Sequence, residues 1–382
     1  MNFGIMLKIS RKSVKIYIIQ KRYTMDIAKT INLQRKFYES GATKDYAFRM
    51  KALETLKSGI VKYQKELETA LHEDLGKSPI ESYFAEIGIT LKEITSMEKN
   101  LKKYMRVKKV RTSITDFPAK SFISPHPYGV TLVMSPWNYP VMLSICPLIG
   151  ALAAGNTCIV KPSDYSVNTS KVIKDMITEI FPAEYVNVVT GGRQENQTLL
   201  DQKFDYIFFT GGKTVGRLIM EKAAKNLTPV SLELGGKSPC IVDKTATLKY
   251  AARRIAFGKF LNAGQTCVAP DYVLIHKSVK KEFLNHFKVA LKETFGENPL
   301  ESSLLGKIIN EKHYNRLKSL MTNQDITIGG NFDDVKRKIE PTVLDNVKFD
   351  NIIMEDEIFG PILPILEYDD LEEAFKYINS NP

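Results

Sequence analysis

The chain has 382 residues, 43% of them hydrophobic and 25% charged, with a formal net charge of +11. That balance is globular, the length allows two or three cored domains, and no apolar run approaches the roughly 18 residues that a membrane-spanning helix needs. The charge is uneven: residues 1–24 carry six cations (Lys8, Arg11, Lys12, Lys15, Lys21 and Arg22) and no acidic residue. Without those six, 48 basic residues face 43 acidic ones, too small an excess to call for a nucleic-acid partner.

In chain order, residues 1–24 read as a basic leader or disordered arm, with Met25 an alternative start. The leader has no apolar h-region and no small-residue cleavage site. From Asp45 to Leu75, Phe48, Leu53, Leu56, Ile60, Tyr63, Leu67 and Leu71 recur at mostly three- and four-residue steps. This predicts one amphipathic helix closed by Gly76. A second is predicted from about Pro79 to Met105, with Phe84, Ile87, Leu91, Ile94 and Leu101 on one side. The apolar run Val141–Ala154, ending in Gly155-Asn156, reads as a buried helix.

Strands then alternate with helices. Strands are predicted at Gly129–Met134, Thr157–Lys161, Val186–Thr190, Asp205–Phe209 and Pro229–Leu234, with helices around 141–154, 166–180 and 214–226. This alternation predicts an α/β fold with a parallel sheet covered on both faces and ligands beyond the strands' carboxyl ends. A second α/β stretch has strands near Ser238–Val242 and Asp271–His276 and helices near 247–261 and 278–294. The expected domains are 25–234 and 235–382, divided near Leu234-Gly235-Gly236.

None of Cys146, Cys158, Cys240 and Cys267 forms a Cys-x-x-Cys pair and no secretory signal precedes them, so a reducing cytoplasm is expected. Cys146, Cys158 and Cys240 lie in apolar helix or strand context and read as core. Cys267 lies on an irregular turn, Asn262-Ala-Gly-Gln-Thr-Cys267, where a thiol is either inert or an accessible nucleophile. Glu233, ending an apolar strand, reads equally as a part-buried general base with a raised pKa or as a cap on the Gly235-Gly236 turn. Phe209-Thr-Gly211-Gly212-Lys213-Thr214-Val215-Gly216 bridges a strand and a helix, where backbone amides can meet a phosphate, although its spacing is neither Walker A nor Gly-x-Gly-x-x-Gly. In Ser135-Pro-Trp137-Asn138 the Asn138 amide can donate to an oxyanion. Lys161-Pro-Ser-Asp164 offers a cation and a carboxylate to a ribose or phosphate.

Taken together and in this order, Ser135–Pro140, Val160–Ser163, Phe209–Gly216, Leu232–Pro239, Asn262–Asp271 and Glu355–Pro361 resemble the aldehyde dehydrogenase superfamily, especially its class 3-like branch, from about residue 30 to the end. The resemblance implies a Rossmann-type cofactor domain plus a second α/β catalytic domain, and oxidation of aldehydes to carboxylic acids with NAD or NADP through a cysteine thiohemiacetal and thioester. It implies Cys267 as nucleophile, Glu233 as base, and the Asn138 side chain with the Cys267 amide as oxyanion hole. It places Lys161 at the adenosine ribose, Gly211, Gly212, Lys213, Thr214, Val215 and Gly216 near the pyrophosphate, and Glu357 and Phe359 at the nicotinamide ribose and ring. No metal is implied. The implied substrate is a medium-chain aliphatic or aromatic aldehyde, and the implied assembly a homodimer.

Two departures stand out. Asp164 occupies a position where relatives often carry Glu, so NADP tolerance is expected. The family pattern also continues for several dozen residues beyond Pro382, including a Pro-Phe-Gly-Gly segment and a dimerisation strand, whose loss is expected to expose apolar surface and a sheet edge. A CoA-acylating relative and a catalytically silent truncated homologue acting in binding or assembly are the alternative readings; Glu233 argues against the first.

Overall fold

A computed structural model describes residues 27–380. The expected basic leader, residues 1–24, lies outside the described residues. Two five-stranded sheets organise the rest. In the first, the spatial order is Val186–Val188, Thr157–Lys161, Val130–Met134, Tyr206–Gly211, Val230–Leu234, and every pairing is parallel. The chain winds outward from Val130–Met134 to one side, then returns and winds outward to the other. A crevice therefore opens between the carboxyl ends of Val130–Met134 and Tyr206–Gly211, the switch point at which such sheets bind ligands. Val130–Met134 and Thr157–Lys161 are buried throughout, as central strands covered on both faces must be.

The second sheet runs Asp325–Ile328, Thr342–Asp345, Ile362–Tyr368, Tyr272–His276, Pro239–Val242. Its pairings are parallel except Asp325–Ile328 on Thr342–Asp345. The helices Leu248–Phe260 and Lys280–Phe295 pack on it through Phe260, Phe283 and Phe287. The strand Val230–Leu234 ends the first sheet and Pro239–Val242 begins the second, so the Gly235-Gly236 turn joins them.

The two long N-terminal helices depart from expectation in continuity. The first is two helices, Tyr46–Lys62 and Gln64–Leu75, broken at Tyr63 (φ −94°, ψ 11°). The break leaves one apolar stripe intact: Leu53, Leu56, Ile60, Leu67 and Leu71 are all fully buried. Gly76 ends it in the left-handed region at φ 69°. The second begins at Pro79, capped by Ser78, and passes through a π-helical turn at Tyr83–Ile87 before continuing as Gly88–Tyr104. That wider turn rotates Phe84 out of the stripe: it is 39% exposed and stacks on Phe257, whereas Ile87, Ile94 and Leu101 stay buried. The run Val141–Ala154 is the buried helix Pro140–Ala154 packed against the first sheet. Cys158 is fully buried, while Cys146 and Cys240 are part-buried. Among the described residues no helix is long and apolar enough to cross a membrane.

Candidate active site

Parallel register brings the sequence motifs of the first sheet to one rim. Met134 pairs with both Lys161 and Phe209, and Thr210 pairs with Glu233. Asn138, Lys161, the Gly211-Gly212 turn and Glu233 therefore all follow or close adjacent strands on the same side. Gly212 is exposed, an added Cβ there would meet no atom, and the helix Lys213–Ala224 starts directly after it. Lys213, Thr214 and Val215 are exposed on its first turn. Gly216 is buried and packs so close to Leu234 that an added Cβ would lie 2.8 Å from its Cδ2.

The turn carrying Cys267 belongs to the other half of the chain, yet it is docked on this rim. The Asn138 side-chain amide donates to the Gln265 carbonyl at 3.0 Å, and the Asn262 side-chain amide donates to the Asn138 carbonyl at 2.8 Å. The Tyr139 hydroxyl pairs with the Thr266 hydroxyl at 2.6 Å. Asn262 and Ala263 both sit at φ 52° and Gly264 at φ 73°. At Gly264 an added Cβ would lie 2.2 Å from the Gly360 carbonyl oxygen, so a side chain is excluded by backbone conformation and by space. Gln265, fully buried, ties the turn to its surroundings: its amide donates to the Asn262 and Lys307 carbonyls and its Oε1 accepts from the Ile309 amide. Cys267 follows, part-buried.

Beneath this junction lies a buried polar cluster from the second helical segment. Lys77 and Glu86, both fully buried, form an ion pair at 2.5 Å. Glu86 Oε2 also accepts the Val141 and Met142 amides at the start of the helix Pro140–Ala154, where the helix dipole favours a negative charge. The Lys77 ammonium donates to the Asn138 carbonyl at 2.9 Å and lies 4.0 Å over the Tyr139 ring. Glu81 accepts the amide of left-handed Asn262 at 2.8 Å, and burial raises the Glu81 pKa. Sequence reading missed this cluster, since nothing in the local pattern of Lys77, Glu81 and Glu86 separates them from a solvated helix face.

Burial departs from expectation at Glu233. It is exposed, near the end of Val230–Leu234, the edge strand of its sheet. The Glu357 carboxyl is pushed up to about 7 by burial and by the neighbouring Asp271 charge. It lies against the Gly235-Gly236 turn, where a Cβ on Gly235 would fall 2.0 Å from Glu357 Oε2. The Cys267 thiol is itself raised, by burial first and then by the Glu357 and Glu233 charges, so a proton is favoured on its sulfur. Lys161 is buried, donates to the Pro162 carbonyl at 2.8 Å, and is lowered to about 8 by desolvation. Phe359, at φ 51°, sits edge-on to Trp137 with ring centroids 5.4 Å apart, and His313 flanks the same indole. Asp271 holds this corner together, paired with Lys237 at 2.7 Å and accepting the Ile358 amide at 3.1 Å. No metal-binding cluster occurs among the described residues.

Comparison with known proteins agrees with this arrangement. Residues 11–382 match the model of the aldehyde dehydrogenase family. The chain is 49% identical over 358 residues to a 4,4'-diaponeurosporen-aldehyde dehydrogenase of Staphylococcus aureus, covering 92% of this chain and 78% of that protein. It is 42% identical over 345 residues to aldehyde dehydrogenase family 3 member A2 of Macaca fascicularis, covering 90% and 71%. Among solved structures, a substrate-bound Staphylococcus aureus AldH superposes with a TM-score of 0.91 at 48% identity, over 93% of this chain and 78% of that one. An indole-3-acetaldehyde dehydrogenase of P. syringae in complex with NAD+ gives 0.84 at 26% identity, over 93% and 74%. A parallel sheet whose rim carries the docked Asn262–Cys267 turn is thus the frame of an oxidoreductase, and the chain belongs to the aldehyde dehydrogenase family, with family 3 members among its relatives.

Proposed function

We propose that this enzyme oxidises an apolar aldehyde to the free carboxylic acid with NAD or NADP, through a covalent acyl group on Cys267. The carrying observation is the docking of the Asn262–Cys267 turn onto Asn138 by reciprocal amide bonds at 3.0 and 2.8 Å. Residues at the rim suit a dinucleotide. Gly212 opens onto free space at a helix start, buried Lys161 supplies a cation, and Thr210 Oγ1 is buried without a hydrogen-bond partner. Lys161 would meet the adenosine ribose, Gly211–Gly216 the pyrophosphate, and Glu357 and Phe359 the nicotinamide ribose and ring. The division of labour is then a cofactor-binding part, 25–234, and a catalytic part, 235–382.

In the chemical step the Cys267 thiol gives its proton to solvent water and its sulfur adds to the aldehyde carbon, turning the carbonyl into an alkoxide. The Asn138 amide spends one hydrogen on Gln265 and keeps a second for that alkoxide, alongside the Cys267 backbone N–H. A nicotinamide ring held by Glu357 and Phe359 would supply the acceptor for the hydride leaving the same carbon. Cys267 is left as a thioester; Glu233 takes a proton from the water that cleaves it and passes that proton to the departing sulfur, returning the thiol and releasing the acid. Glu233 suits that task because it is exposed, so that it can exchange its proton with solvent, and its charge is felt at the Cys267 thiol. A reducing cytoplasm suits the four free cysteines, and the resemblance favours a homodimer.

An aldehyde panel assayed for NADH, with Cys267→Ala as control, tests the reading. Oxidation should fall by at least about 10⁴-fold in the variant, and residual turnover near the parent rate would refute the covalent route. Asp164, exposed beside Gly192, is a shorter carboxylate than the Glu many relatives carry, so NADP should serve as well. A preference for NAD beyond about a thousandfold in kcat/KM would refute that.

A further inference from the structure

Away from the rim, a cleft of about 520 Å³ is lined by His72, Lys307, Lys336, Arg337 and Lys338. Its cations are poorly neutralised. The Lys307 ammonium donates to the Glu73 carbonyl, the Arg337 guanidinium to the Ile308 carbonyl and the Lys338 ammonium to the Ser302 carbonyl. Among the described residues, Lys336 alone of these four has carboxylate partners, Glu301 at 2.9 Å and Asp333 at 3.8 Å. Nearby Asp74 is committed to Asn168 and Thr169. Backbone carbonyls orient a cation without cancelling its charge, so like charges are held together at an electrostatic cost. Lys307 is lowered by burial and then by Arg337, against smaller opposing effects of Asp74 and Glu73; Lys338 is lowered by burial and then by Lys336, against smaller opposing effects of Glu301 and Asp333.

The cleft is also built rather than assembled from free side chains. Arg337 is held at φ 52°, a left-handed conformation costly for a residue with a side chain. Its backbone carbonyl accepts the Ile308 amide at 2.9 Å, and the Lys307 amide donates to the Leu75 carbonyl at 2.8 Å. Gly76, at φ 69°, allows that approach, since a Cβ there would lie 3.0 Å from the Lys307 nitrogen. The Lys307 carbonyl and Ile309 amide are bonded to buried Gln265, so the floor cannot drift.

We propose that this cleft is a binding site for a multiply charged oxyanion of the phosphate class, with Lys307, Arg337 and Lys338 as its donors. Two ammonium groups and a guanidinium lining one cleft, none of the three ion-paired to a carboxylate, match the tetrahedral oxygens of phosphate or pyrophosphate, whether free or carried on a lipid head group.

The test is calorimetric titration of the whole chain with pyrophosphate at constant ionic strength, beside flotation with phosphatidate-containing vesicles. Parent and Lys307→Gln/Lys338→Gln chains are compared after their thermal unfolding is shown to match. Saturable binding at about 1 mM or tighter, weakened ~10-fold or more in the double variant, is expected. Loss in the pyrophosphate arm identifies a soluble anion, and loss confined to the vesicle arm a lipid phosphate; either supports the site. Lys336→Gln, which removes a cation already paired, should weaken binding less than about threefold. Equal losses in the two variants would signify long-range attraction alone. That result, unchanged binding in the double variant, or no saturable binding in either arm would overturn the proposal.

Discussion

The two sides of the proposed active site are built in opposite ways. Under Asn138 and Asn262, Lys77, Glu81 and Glu86 are buried, and their charged groups are bonded to the backbone that positions the amides. Glu233, across the site, sits near the end of an edge strand, exposed. A donor that stabilises a developing charge works best when it cannot reorient, because no reorganisation is then needed during reaction. A base that must take a proton from water and pass it on needs solvent contact. Rigidity on one side and access on the other follow from those separate demands.

Among variants that keep the Cys267 sulfur, Glu233→Gln is expected to show the largest effect. Acid production should slow by about 100- to 10 000-fold, while the first turnover still forms cofactor product in a burst and unfolding changes by less than about 0.5 kcal/mol. A burst that vanishes with the steady state would take Glu233 out of the hydrolytic step. Glu86→Ala should behave oppositely, costing about 3–5 kcal/mol of stability because it strands Lys77 as an unpaired buried cation. Denaturant unfolding measures this, and a cost below about 1 kcal/mol would show that the cluster does not support the junction.

Asn138→Ala should lower kcat by about 100- to 1000-fold, with aldehyde KM changed much less, if the amide acts on the alkoxide. A rise in KM alone would assign it to substrate binding. The smallest effect concerns the thiol. Its raised pKa means that alkylation of Cys267 should be slow at neutral pH and accelerate above the ordinary thiol range. Glu357→Gln removes a negative charge that disfavours the thiolate, so the midpoint should move down. Alkylation at pH 7 should become about three- to tenfold faster. An unmoved pH profile would show that burial alone raises the thiol.

Much of the fold was legible in one dimension. Short Val/Ile-rich strands alternating with helices announced the first sheet, and all five of its predicted strands are present within a few residues. Cys267, Asn138 and Glu233 stood out because motif and turn chemistry are local. The strands Asp325–Ile328, Thr342–Asp345 and Ile362–Tyr368 and the helix Glu311–Met321 drew no prediction. Their identity comes from pairing with Tyr272–His276 and packing around it, which no local period records.

What sequence alone decides here is therefore the chemistry: residue types at turns, whose backbone demands and reactivity are properties of a few adjacent positions. Which carboxylates are buried or open is decided by tertiary structure. Glu233 lies open near the end of an edge strand; Glu357 is raised toward 7 because it is buried against Gly235 beside Asp271. Desolvation and charge–charge coupling depend on neighbours far along the chain, so they exist only once the sheets have met.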